Sequence, residues 1–78
     1  MKQPHDIAAC VRGALEEYFK TLEGEKPSAV YDMVIKCVER PMLEVILSQC
    51  SGNQSVAAQM LGINRNTLRK KLIEHDLV

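Results

Sequence analysis

Between Ile7 and Glu23 the apolar residues Ile7, Val11, Ala14, Leu15, Tyr18 and Leu22 fall at steps of 4, 3, 1, 3 and 4, the spacing of one helix face. Asp6 is placed to cap that helix, where a carboxylate also suits the positive end of the dipole. Gly24 and the polar turn after it end the helix, and Gly13 weakens its interior modestly. A second apolar set, Val30, Met33, Val34, Cys37 and Val38, follows Ser28, an N-cap candidate directly after Pro27. It continues past Pro41 through Met42, Val45 and Ile46 without losing phase. Proline inside a helix removes a hydrogen bond and costs about 3 kcal/mol. The unbroken phase therefore predicts one long helix, kinked at Pro41 and running to about Cys50, with a break at Arg40 as the alternative.

Beyond the proline, PMLEVILSQC is apolar on nearly every side, because Leu43 and Leu47 join Met42, Val45 and Ile46. A helix that is hydrophobic all round needs cover all round. The remaining helices can close over one face, and a second copy of the chain is expected over the other. The expected dimer interface is Val34, Val38, Pro41, Met42, Val45 and Ile46. Ser51-Gly52-Asn53 is turn chemistry, and Asn53 is a good N-cap. A third helix is predicted over 54–61, with Val56, Ala57, Met60 and Leu61 inward. Gly62 ends it, and Asn64 caps a fourth over 65–74, with Leu68 and Leu72 inward. No strand or internal repeat is indicated. The expectation is an all-α domain of four helices over 1–78, with dimerisation helices over 7–50 and a helix-turn-helix over 53–74.

Size supports the need for a partner. A chain of 78 residues buries only roughly 60–65% of its unfolded surface, so small domains add disulfides, a metal or a subunit. Cys10, Cys37 and Cys50 are odd in number, form no C-x-x-C pair and have no histidine at ligand spacing. Neither a disulfide framework nor a zinc site is expected; the cysteines read as three buried thiols of a reducing cytoplasm. No apolar run approaches the roughly 18 residues that span a membrane, and the N-terminus has no signal-peptide core. Paired carboxylates, a Cys/His pair, a metal cluster and a Gly-rich loop are all lacking, so neither an enzyme nor a cofactor is expected.

Net charge is zero but unevenly spread. Residues 1–50 hold six Lys/Arg against eight Asp/Glu, and residues 51–78 hold four against two. All four of those cations, Arg65, Arg69, Lys70 and Lys71, lie between Asn64 and Leu72. Two short helices joined by a Gly-containing turn outline a helix-turn-helix, and Ala58 is small enough for close crossing. Leu61, Ile63 and Leu68 are expected to fix that crossing. The polar face of the second helix suits a major-groove reader, since arginine can donate twice to guanine and asparagine can pair with adenine. Asn64 and Arg65 are expected at the base edges, with Arg69 one turn on. Asn53 and Ser55 are placed to hold the DNA backbone, Thr67 flanks the reading face, and Lys70 and Lys71 are expected on phosphates. Arg40 and Lys36 read as ordinary surface residues.

ALEEYF (14–19), ERPMLEVIL (39–47) and above all GNQSVAAQMLGINRNTLRKKL (52–72) resemble the Fis family of bacterial nucleoid-associated DNA-binding proteins. The likeness covers about seven-eighths of the chain. It implies a cytoplasmic, nucleoid-bound homodimer in which the first helix and the proline-kinked helix intertwine. It also implies that double-stranded DNA is bent, so that specificity rests largely on deformability. The family's functional positions match at Asn53, Ser55, Asn64, Arg65, Thr67, Arg69 and Lys70, with Ser55 where threonine is usual. Three departures follow. The chain begins almost at the first helix, so the arm through which longer members activate recombinases is expected to be absent, and that activity with it. Ser51 replaces a basic residue, and Ile73 and Glu74 stand in a lysine-rich stretch, which implies fewer phosphate contacts and a flatter salt dependence.

Two other functions fit the same pattern. One is the C-terminal DNA-binding module of an NtrC-type activator, against which a chain starting at Met1 speaks. The other is a helical adaptor whose basic helix meets an acidic protein.

Overall fold

Four helices form, in the order α1 (Pro4–Thr21), α2 (Val30–Gln49), α3 (Gln54–Leu61) and α4 (Arg65–Glu74), in a computed structural model that describes residues 4–78. Among the described residues there is no strand. The chain divides into two compact units, Met1–Val34 and Ile35–Val78, and the division falls inside α2. Among the described residues no helix is long and apolar enough to cross a membrane.

In the first unit, α1 is amphipathic. Val11, Leu15, Tyr18 and Leu22 are half-buried, whereas Ile7 and Phe19 are exposed. The Tyr18 and Phe19 rings meet edge to face, 5.6 Å between centroids. The helix starts earlier than the periodicity suggests, so Asp6 lies inside its first turn and not at the cap. It still carries its negative charge where the helix dipole favours it. Ser28 does not cap α2 either. Ala29, at φ 52°, intervenes, and its carbonyl accepts the first helical bond from the Met33 N–H at 3.0 Å.

The phase preserved across Pro41 is expressed as one helix: α2 runs through the proline, and no break occurs at Arg40. Within the second unit, Leu43 drops into a core made with Ala57 and Ala58 of α3 and Leu68 and Leu72 of α4. Ile46, Leu47, Cys50, Leu61, Ile63 and Leu77 pack around it. The two alanines matter because a small side chain lets helix axes approach closely. They also explain a misplaced expectation. Val56 and Met60 are exposed, since the inward stripe of this two-turn helix passes through Ala57, Ala58 and Leu61.

Only one face of the apolar stretch after Pro41 is covered. Met42 and Val45 remain 42% and 59% exposed. The three thiols are not buried in the single chain: Cys10 and Cys37 are exposed, and Cys50 is half-buried with its Sγ 3.5 Å from Met60 Sδ.

Candidate nucleic-acid interface

Two asparagines set the geometry of the second unit's polar end. Asn53 holds extended backbone before α3, and its Oδ1 accepts from the Val56 N–H at 3.1 Å. Asn64 does the same before α4, accepting from the Asn66 N–H at 2.7 Å. Each satisfies a donor that the first helical turn leaves unpaired. Between them Gly62 adopts φ 74°, and its N–H and that of Ile63 both return to the Ala58 carbonyl, at 2.9 and 3.1 Å. That left-handed step closes α3 and turns the chain into α4 within three residues.

The turn brings the starts of the two helices together. Arg65, the first residue of α4, donates from its guanidinium to the Ser55 hydroxyl at 3.2 Å. Asn53, Gln54, Ser55, Arg65, Asn66 and Arg69 line an open, polar cavity of about 300 Å³. Four expected contact residues, Asn53, Ser55, Arg65 and Arg69, therefore meet at one place. Asn64, Thr67 and Lys70 are exposed on the same unit. Backbone N–H groups at helix starts, neutral amides and two guanidinium groups make this end suited to a phosphate-bearing ligand.

Lys71 stands apart. Its ammonium lies 2.6 Å from Glu39 Oε2 of α2, and Glu39 Oε1 lies 3.1 Å from His75 Nε2. The hydrogen bond from Lys71, then that from His75, hold the Glu39 carboxyl below the usual glutamate range, against the opposing effect of burial. Arg40, expected to be an ordinary surface residue, donates to the His75 main-chain carbonyl. Sequence reasoning passed over Glu39 and His75, which lie 36 positions apart. Glu39, Glu74 and His75 bring ligating atoms within 4.8 Å of one another. Both Glu39 oxygens already face nitrogen atoms, those of Lys71 and His75, so the cluster is a hydrogen-bonded network in which Lys71 supplies the positive charge.

The expected dimer residues fall into two groups. Pro41, Met42 and Val45 are exposed, and Val34, Val38 and Ile46 are half-buried. Ile46 packs against the unit's own core.

Comparison with known proteins agrees with this geometry. The family model "Bacterial regulatory protein, Fis family" matches residues 35–75, which is the second unit almost in full. A Fis-like DNA-binding protein of Neisseria meningitidis is 58% identical over 78 residues, spanning 96% of this chain and 99% of its own. One from Ralstonia nicotianae is 56% identical over 72 residues, 92% of this chain and 94% of its own. The DNA-binding protein Fis of Mannheimia haemolytica is 46% identical over 67 residues, 86% of this chain and 68% of its own. On this evidence the chain belongs to the Fis family of bacterial regulatory proteins.

Proposed function

We propose that the protein is a DNA-binding regulator that acts as a homodimer on double-stranded DNA in the bacterial nucleoid, bends the duplex and has no enzymatic activity. The observation that carries this reading is the polar cavity where Asn53, Ser55, Arg65 and Arg69 converge at the starts of α3 and α4. Asn64 and Arg65 face base edges in the major groove, with Arg69 one turn further along. Asn53, Ser55, Thr67 and Lys70 hold phosphates on either side. Lys71 is set apart from these phosphate contacts because its ammonium is engaged by Glu39.

The dimer reading is supported by the exposed apolar face of α2 at Met42 and Val45. Recognition helices held at a fixed separation by such a dimer select DNA sequences that deform easily. Fluorescence anisotropy with a labelled duplex at two salt concentrations tests the binding. Retention that weakens steeply with salt supports it; no change in anisotropy at either salt favours the protein-binding adaptor.

A further inference from the structure

Two consecutive residues of α2 grip the last turn of α4. Glu39 spends both carboxylate oxygens there, one on Lys71 and one on His75, and Arg40 occupies the His75 carbonyl. That carbonyl is among those a helix end leaves without an intrahelical donor. The contacts are sheltered: the Glu39, His75 and Lys71 side chains keep 14%, 9% and 33% of their accessible area. Helix geometry explains why this lysine differs from its neighbour. At 100° per residue, Lys71 lies about 160° around α4 from Arg69 but only about 60° from the buried Leu68. Lys70, by contrast, is exposed.

The geometry points to Glu39 as a positioning residue for DNA binding, with Lys71 as its anchor on the recognition helix and not as a phosphate contact. This rests on the DNA-binding reading above. The hydrophobic contacts of Leu68 and Leu72 hold α4 against α2, but apolar packing is non-directional and fixes rotation about the helix axis weakly. A carboxylate bonded to residues 71 and 75, one turn apart, fixes both rotation and pitch. Those two quantities decide how deeply Asn64 and Arg65, at the other end of α4, enter a groove.

The test is a charge exchange read by anisotropy on a duplex, with thermal melting of each variant to establish that it is folded. Glu39→Lys and Lys71→Glu each weaken binding, and the double variant regains most of the loss, a coupling of at least about threefold in affinity. The carboxylate moved to position 71 still lies one turn before His75, within reach of its ring. Independently of the exchange, Lys70→Gln lowers the slope of log affinity against log salt by about 0.9 per subunit, while Lys71→Gln leaves the slope unchanged. A double variant no better than Lys71→Glu alone, or a slope lowered equally by Lys71→Gln, overturns the proposal. Should the exchanged variants not fold, the Lys71→Gln slope decides. Failure of the unsubstituted protein to bind any duplex defeats the DNA reading itself. Binding by the parent, with the expected Lys70→Gln effect but no rescue, defeats only the positioning role.

Discussion

The guanidinium of Arg65 donates to the hydroxyl of Ser55 at 3.2 Å, tying the first residue of α4 to the first turn of α3. Neither partner is buried, so the bond orients more than it stabilises. It holds the arginine at the mouth of the polar cavity, where a bound phosphate or base edge can replace the serine as acceptor.

Replacing Arg65 with alanine is accordingly expected to cost about 1–3 kcal/mol of specific binding and to relax base preference. Thermal stability should change little, because an exposed hydrogen bond of this kind adds at most about 1 kcal/mol. Footprinting checks it: an unchanged footprint and affinity would remove Arg65 from the proposed base-reading set.

The apolar face of α2 is best probed at Met42 and Val45, which protrude, and not at Ile46, which already belongs to its own unit's core. Met42→Asp or Val45→Asp should leave the helix-turn-helix folded yet dissociate the proposed dimer, since an unpaired charge in an apolar interface costs roughly 3 kcal/mol or more. Sedimentation of a folded variant that remains dimeric would show that the subunits meet elsewhere.

Gly62 adopts φ 74°, and a Cβ built there would meet nothing within 4 Å. Gly62→Ala should therefore destabilise through backbone strain alone, by about 1–2 kcal/mol. Urea denaturation measures this directly; no loss of stability would mean that the turn can relax into another conformation.

Acid should loosen the grip of α2 on α4. The folded-state pKa of Glu39 is lowered by Lys71 and then His75, so unfolding raises it. The stabilisation is fully present above the ordinary glutamate pKa and is lost as pH falls through that value and then through the lowered folded-state one. Parent and Glu39→Gln protein should differ most in stability near neutral pH and converge below about pH 5. A gap that stays constant into acid would show that the carboxylate's charge plays no part.

What could be read from sequence was local. Asn53, Gly62 and Asn64 carry their structural consequence in their own side chains or its absence, so the helix-turn-helix stood out without any tertiary information. The phase across Pro41 foretold a continuous α2 for the same reason. The Glu39 cluster did not stand out, because its members lie 32 and 36 positions apart and pair only once α4 lies against α2. Lys71 looked like one more cation in a basic run, although its angular closeness to Leu68 already distinguished it from Lys70. Val56 and Met60 misled because large apolar residues normally outrank alanine as core candidates. Here Ala57 and Ala58 take the inner face by letting the helices approach.

The most direct test is a circular-permutation gel shift, with one footprinted binding site placed at successive positions along a duplex of constant length. A DNA-bending dimer predicts retarded complexes whose mobility is lowest with the site at the centre, and whose retention weakens as salt rises. Retarded complexes of equal mobility at every position would contradict bending, and no retarded complex at low salt would contradict DNA binding altogether.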